Sequence, residues 1–389
     1  MMRYLAVFVI LAILGAAAQP LPAQSSSTAT GVSNSMNPAI SVNGLFLGQV
    51  SRDNPDHEFN NINVQEAETR FTSIVDPYWK AALTIAGHPA HSHASPHDAG
   101  EDNPDDQAVE ETSADFIFHI EEAYIDGRAL PAGFALRMGK FFLPFGKHVP
   151  LHTHQFPFVH SPLGVSAILG EHSLSESGAQ ITATIPVPWY ADLSVYGVDG
   201  RAGIFDAANK NYVFGACTHH LWDIGQNSTL GLGGSALQGP DGRHPGESIQ
   251  LNIYGADLTY KWVSAGQSKG PALNFTAELI VPDSEEKEGS PLGWYFFTQY
   301  RPHRNWWLGG AVSQAVDILG GHSDHEKDES ETPLGEMWEY KFNLTFAPSE
   351  FSALRAEIVF SDDRAGDEDD LQFYLQWNFT IGSHPAHLY

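Results

Sequence analysis

Histidine is the residue type in this chain whose spacing most directly suggests chemistry. Nineteen histidines are present, and four of them fall within ten residues. These are His88, His91, His93 and His97. Neutral imidazole is a common ligand of Zn²⁺ and related metals. Pro89 and Pro96 restrict the backbone here, and an acidic run at 98–111 follows at once. This cluster is our candidate metal site, with Zn²⁺ as its ion. The alternative is a solvated loop without metal preference.

A second histidine-rich segment, residues 143–173, differs in composition. It is rich in proline and aromatic residues and contains Lys147, His148, His152 and His154. An apolar segment is not stable when exposed to water on all sides, so we expect it to pack against the rest of the protein. Two roles stay open for its imidazoles: contact with a solute path, or metal binding.

The charge of the chain excludes one class of partner. Forty-seven acidic residues oppose 20 Lys and Arg, which gives a formal net charge of −27. This is the wrong sign for nucleic acid, and 12% aromatic residues are too many for a disordered acidic protein. The acids concentrate at 98–111, 283–288, 324–331 and 362–370. They either bind lipopolysaccharide through divalent bridges or form a negative mouth that enriches cations.

The elements that must position these groups are strands. Between residues 371 and 381 every odd position is large and apolar and the even positions are polar or tyrosine. Strict period-2 alternation indicates a strand with two different faces. A tilted strand needs about 9–11 residues to cross a membrane. Its apolar face would contact lipid and its polar face a wet lumen.

The same pattern recurs, with short and long connections in alternation. We predict strands at 38–50, 62–75, 77–87, 115–129, 133–142, 174–185, 189–199, 212–222, 227–238, 249–262, 272–281, 291–301, 305–316, 337–347, 351–361 and 371–381. Short periplasmic turns and long extracellular loops are typical of outer-membrane barrels. The fold class is therefore all-β: a transmembrane antiparallel β-barrel of about 16 strands, with the third extracellular loop folded into the lumen. Glu121-Glu122 and a phase change between Ile253 and Leu258 each predict a β-bulge or a misplaced strand boundary.

The termini suggest export. Residues 1–23 have the charge, apolar run and small-residue cleavage site of a signal peptide. Residues 24–37 would be a periplasmic linker and 38–389 the barrel. Cys217 is the single cysteine, so no intramolecular disulfide can form. No later segment approaches the roughly 20 apolar residues of a membrane helix.

If the polar faces point inward, charged side chains of both signs line the pore together with the third-loop residues Lys147, His148, His152 and His154. The strand residues are Glu66, Glu68, Arg70, His119, Glu121, Arg137, Glu339, Lys341, Arg355 and Glu357. Two interpretations remain open. The charges either pair across strands and fill space, or they create a transverse field that sorts small solutes.

Several local segments resemble a known family. The segment 139–146 (GKFFLPFG) resembles the entry into the third loop of the phosphate-selective porin (porin O and P) group. Segments 37–41, 122–124, 151–154 and 383–387 are more similar still to outer-membrane proteins labelled zinc-regulated. The resemblance implies a sixteen-stranded porin with its third loop in the bore. It does not imply phosphate selectivity, because the third loop offers Lys147 rather than a ladder of cationic residues.

The expected function is passive passage of small hydrophilic solutes across the outer membrane of a Gram-negative bacterium. We expect a preference for cations, a link to zinc or other divalent metal uptake, and no required cofactor. Expected partners are outer-membrane lipid and lipopolysaccharide, small solutes or metal ions, and a homotrimer is one option for assembly. One alternative is a surface metal-binding or adhesion protein anchored by a barrel. Another is an outer-membrane enzyme such as a lipase. The run 266–270 (GQSKG) matches Gly-x-Ser-x-Gly, but it falls in a predicted turn between two strands and not in the strand-to-helix turn that this motif requires, and no His-Glu-x-x-His occurs.

The histidine cluster of the second long loop yields a direct test. A synthetic peptide of residues 86–112 is expected to bind Zn²⁺, Cu²⁺ or Ni²⁺ in preference to Ca²⁺. Since free imidazole has a pKa of about 6.5, affinity should fall sharply near pH 5. Isothermal titration at both pH values measures this. The control peptide has alanine at the four histidine positions. Equal competition by Ca²⁺, or retained binding by the control, would show that the acids act alone.

Overall fold

The protein is a closed antiparallel barrel of sixteen strands in the computed structural model. The structure describes residues 38–51, 62–89, 116–127, 130–170, 174–201, 204–205, 212–243, 249–264, 270–284, 290–316, 335–363 and 368–382. The predicted signal peptide and linker, His91, His93 and His97 lie outside these residues. No helix in the described ranges is long and apolar enough to cross a membrane.

All sixteen predicted strands are confirmed, with ends displaced by at most three residues. They are β1 Ala39–Ser51, β2 Ile62–Ile74, β3 Trp79–Pro89, β4 Phe116–Gly127, β5 Phe134–Phe142, β6 Ser175–Thr184, β7 Tyr190–Val198, β8 Val213–Ile224, β9 Ser228–Pro240, β10 Gln250–Val263, β11 Ala272–Ser284, β12 Leu292–His303, β13 Trp306–Val316, β14 Met337–Ser349, β15 Ser352–Asp363 and β16 Glu368–Gly382. Each strand pairs with its sequence neighbours, and β1 pairs with β16 from Ser41↔Gly382 to Ser51↔Gln372 to close the barrel. Closure leaves no free sheet edge.

The two faces of the strands differ as their sequences predict. In β16 the side chains of Leu375 and Trp377 point outward and are 53% and 54% exposed, whereas Gln376 and Asn378 point inward and are buried. Exposed aromatics near strand ends, such as Tyr190 and Trp306, fit the interfacial girdles of membrane barrels. The outer surface is therefore apolar, as contact with lipid requires.

Of the two predicted bulges, one is confirmed and one is wrong. The register of β3 and β4 shifts between Thr84 and Ile85, which pair with Glu122 and Ile120, so Glu121 is the extra residue. By contrast, β10 pairs regularly with both neighbours throughout. The alternation of apolar and polar residues changes phase in β10 because two inward residues, Leu251 and Ile253, are apolar. Both are buried and pack against the third loop.

The third loop, described at residues 143–170, folds into the barrel as predicted. It contains a turn of 3-10 helix at Thr153–Gln155 and one short helix, α1, at Leu163–Leu169. Its apolar residues form a core with inward residues of the wall, including Phe145, Val149, Ile253 and Ile280. Burial of this apolar surface, at about 25 cal/mol per Å², favours the inward position.

His88 requires a correction. It was placed in the second long loop, but it lies in β3, which runs two residues further than predicted, to Pro89. The His88 ring stacks on His119 of β4 with centroids 5.1 Å apart. Cross-strand pairing with β4 extends the strand beyond the point where its alternation fades in sequence.

The topology predicts which connections face the cell exterior. An epitope tag inserted after Asp105, between β3 and β4, should be labelled by antibody on intact cells. A tag inserted after Gln226, in the short turn between β8 and β9, is the matched control and should be labelled only after permeabilisation. The reverse pattern would show that the orientation is wrong.

Candidate functional site

The third loop enters the barrel through a close approach to β9 and β11. Gly146 has a φ of +59°, and a Cβ at this position would collide with the carboxylate of Glu278. The Ser235 hydroxyl accepts a hydrogen bond from the Gly146 amide at 3.0 Å. Glu278 accepts from the amides of Lys147 and His148 at 3.1 and 3.2 Å. Glycine is needed here because its left-handed conformation and missing side chain let the backbone reach this carboxylate.

Cationic side chains of β14 and β15 bind the loop carbonyls. Arg355 donates to the carbonyls of Phe156 and Phe158, both at 3.0 Å. Lys341 donates to the carbonyls of His160 and Ser161, both at 3.1 Å. Arg355 and Lys341 are buried, so these bonds replace the water that the cations would otherwise bind.

Acceptors on the same side of the barrel bind the loop amides. Glu357 accepts from Val159 at 3.2 Å, and Glu339 accepts from Leu163 at 3.2 Å. The Gly164 amide donates to the Ser313 hydroxyl at 2.7 Å. Most inward charges of β14 and β15 thus bind the loop backbone. Ion pairing also occurs, since Lys341 lies 3.2 Å from Glu339, and the transverse field stays a prediction.

A carboxylate–imidazole cluster joins the middle of the loop to β2 and β4. Its members are Glu66, Glu68, Glu121, Glu122, His152 and His154. His152 Nδ1 lies 3.0 Å from Glu68 and 3.1 Å from Glu121, and its Nε2 lies 3.1 Å from Glu122. His154 Nδ1 lies 3.2 Å from Glu68. All six side chains are buried.

The surroundings of His152 set its charge. Burial lowers its pKa, but contacts with Glu121, Glu122 and Glu68 outweigh burial and raise the pKa of His152 well above the ordinary value. The imidazolium form can donate from both ring nitrogens to these carboxylates. Arg70 completes the arrangement, 3.4 Å from Glu122 and 3.1 Å from the Tyr124 hydroxyl.

His148 has the opposite environment. Its ring lies 4.4 Å from that of Phe156 and 6.2 Å from that of Tyr295. Burial, and then the positive charge of Lys341, lower the pKa of His148 to about 3. Two histidines four residues apart in one loop are therefore expected in different charge states at neutral pH.

Several of the predicted pore-lining strand residues are buried where the third loop packs on the wall: Glu66, Glu68, Glu121, Lys341, Arg355 and Glu357. That the full set lines a pore stays a prediction. Arg137 pairs with Asp126 at 2.7 Å, and Lys147 is exposed. The sequence does not single out Glu122, Ser235 or Ser313 as site residues. Glu122 could have been recognised from its place beside the β4 bulge, whereas the others resemble any inward polar residue.

Comparisons with known proteins support the fold. No family model matches the sequence. A protein of Aquifex aeolicus (strain VF5) described as uncharacterised is 28% identical over 309 residues, covering 69% of this chain and 63% of the relative. The chain thus spans less than two thirds of that relative's length.

Two solved outer-membrane proteins share the fold. OprB of Pseudomonas putida superposes with a TM-score of 0.55 at 10% identity, covering 89% of this chain and 94% of OprB. A trimer form of OmpT, an outer membrane protein of Vibrio cholerae, has a TM-score of 0.51 at 8% identity, covering 89% and 99% of the two chains. The narrower resemblance to phosphate-selective or zinc-regulated porins stays a prediction.

Acidification is expected to loosen the third loop through His148. The pKa of His148 is lowered to about 3 in the folded protein. Its stabilising contribution to the free energy of unfolding is therefore fully present above pH 6.5. It is lost as pH falls from 6.5 towards 3, at about 1.4 kcal/mol per pH unit. His148→Phe should reduce the acid-induced fall in the melting temperature of the folded protein in detergent. His303→Phe, at the opposite end of the barrel, is the control. Equal acid sensitivity in wild type and His148→Phe would contradict this role.

The closed barrel, its apolar outer face and this shared fold place the chain in the outer membrane of a Gram-negative bacterium.

Proposed function

We propose that the protein is a passive outer-membrane channel for small hydrophilic solutes, with the third loop as its constriction. The observation that carries the proposal is a closed sixteen-stranded barrel whose third loop is hydrogen-bonded to inward side chains of β9, β11, β13, β14 and β15. Barrels of 16 strands enclose an interior wide enough for water. A loop fixed across that interior narrows it.

The proposed preference is for cations, with divalent metals such as zinc among them. The net charge of −27 and the acids of the long loops support enrichment of cations at the extracellular mouth. The remaining histidines of the second loop, His91, His93 and His97, support capture of transition metals. The same acids would bind lipopolysaccharide through divalent bridges. We also propose a homotrimer, by analogy with the trimer form of OmpT, to be tested by native mass measurement in detergent.

A second candidate is a surface metal-binding or adhesion protein whose barrel is an anchor. The observation in its favour is the apolar core inside the barrel, where Phe141, Leu143, Phe145, Ile280 and Tyr295 are buried. A loop packed this tightly could close the bore. Bilayer recordings separate the candidates because a closed anchor conducts no current.

Conductance also tests the role of the loop. Deletion of residues 147–160 is expected to increase single-channel conductance, because it removes the segment that crosses the bore. The folded state of the variant is checked by its heat-modifiable migration on gels. Unchanged conductance in the folded variant would show that the loop does not limit current.

A matched pair of arginine variants refines this test. Arg355→Met leaves two buried loop carbonyls without their donor, at a cost of about 1–3 kcal/mol each, and should increase current fluctuations. Arg137→Met removes an inward arginine that pairs with Asp126 on the neighbouring strand, and should leave the loop in place. The reversal potential in a KCl gradient gives the sign of selectivity, and an anion-selective value would contradict the cation preference.

A further inference from the structure

The carboxylate–imidazole cluster has a geometry that the anchoring of the loop does not require. Glu66 and Glu68 are two residues apart on β2, so both point to the same inner face. Opposite them, His152 and His154 are two residues apart in the loop, and their rings stack with centroids 5.5 Å apart. Asn378 donates to the His154 carbonyl at 3.0 Å and fixes that side. Two rigid segments therefore present a pair of carboxylates to a pair of imidazoles.

The potential ligand atoms lie close together. Two sets of three residues each place their ligand atoms within 4.8 Å of one another. The first set is Glu66, Glu68 and His154, and the second is Glu68, Glu121 and His152. Around a tetrahedral zinc ion with bonds of 2.0–2.1 Å, neighbouring ligand atoms are separated by about 3.3 Å. Side-chain rotations that move the ligand atoms by about 1 Å would bring the set of Glu66, Glu68 and His154 to the spacing required around a zinc ion.

Within the cluster, Glu66 is the residue whose contacts with the protein least offset the cost of burying a carboxylate. It is 1% exposed, and within the described part of the chain neither carboxylate oxygen has a well-formed hydrogen bond, although the Thr153 side chain lies nearby. Its charged contact is with His88 Nε2 at 3.8 Å. A buried carboxylate without hydrogen bonds is costly unless it is paired or coordinates a metal.

The charge balance points in the same direction. Four buried carboxylates, those of Glu66, Glu68, Glu121 and Glu122, belong to the cluster, while Arg70 contacts it through Glu122 at 3.4 Å. These four carboxyl groups outnumber the two groups that contact them with cationic or protonatable nitrogens, Arg70 and His152. A divalent cation would offset two negative charges in this low-dielectric setting.

We propose that Glu66, Glu68 and His154 bind one divalent transition-metal ion that clips the third loop to β2. Two carboxylates and one imidazole suit Zn²⁺ and its first-row neighbours, whereas Ca²⁺ takes six to eight oxygen ligands. The site is separate from the histidine cluster at 91–97, and its existence does not depend on conduction. Because the ligands come from the strand and the loop together, bound metal stabilises the docked loop.

The test uses the full-length folded protein in detergent, stripped of metal with a chelator and then titrated with Zn²⁺ or Co²⁺. A triple variant, His91→Ala, His93→Ala and His97→Ala, removes the candidate ligands of the second loop. In that background we expect calorimetric titration to show that each chain still binds about one Zn²⁺. The Co²⁺ form should show absorption bands of imidazole and carboxylate coordination, with little competition from Ca²⁺.

Glu68→Gln in the same background should weaken Zn²⁺ binding at least about tenfold. The matched control is Glu357→Gln, which also removes a buried inward carboxylate that binds the loop but belongs to no ligand set. Retained Zn²⁺ affinity in folded Glu68→Gln, or loss of all binding in the triple variant alone, would overturn the proposal. If Glu68→Gln does not fold, the Co²⁺ spectrum of the triple variant decides: absence of coordination bands overturns it.

Discussion

The requirement that every buried peptide group find a hydrogen-bond partner governs the interior of this barrel. A long loop with little regular structure brings amides and carbonyls that its own backbone cannot satisfy. The wall supplies the missing partners from two groups of strands: Ser235 and Glu278 on β9 and β11, and Lys341, Arg355 and Glu357 on β14 and β15. An unsatisfied buried donor or acceptor costs about 1–3 kcal/mol. The inward charges are therefore first of all a template for the loop.

Apolar packing complements this template. The first part of the loop and helix α1 pack on inward apolar residues of β10 to β12, such as Ile253, Ile280 and Tyr295. The part between His152 and Ser161 also makes apolar contacts, since Phe158 packs on Phe297 and Val159 packs with Leu47. Hydrophobic burial and directional hydrogen bonds therefore act together along the loop.

The histidines show how the same residue type acquires different chemistry. His148 lies among aromatic rings near Lys341, which favours its neutral form, whereas His152 lies among three carboxylates, which favours its charged form. His154 shares Glu68 with His152 and belongs to the proposed metal site. A loop whose anchors include ionisable groups of both kinds couples its position to pH and, through the proposed ion, to metal concentration.

The sequence by itself determined the sixteen strands, their lipid and lumen faces, the β4 bulge and the inward third loop. These features follow from alternation and composition within short segments, which a single stretch of chain displays. It could not determine which inward charges meet the loop, because Lys341 and His160 are 181 residues apart. The inward apolar residues of β10, such as Ile253, suggest a bulge in sequence for the same reason. They pack in one core with Phe145, which comes from a loop more than 100 residues away in sequence. Only the closed barrel brings such residues together, and with them the buried cluster around Glu68.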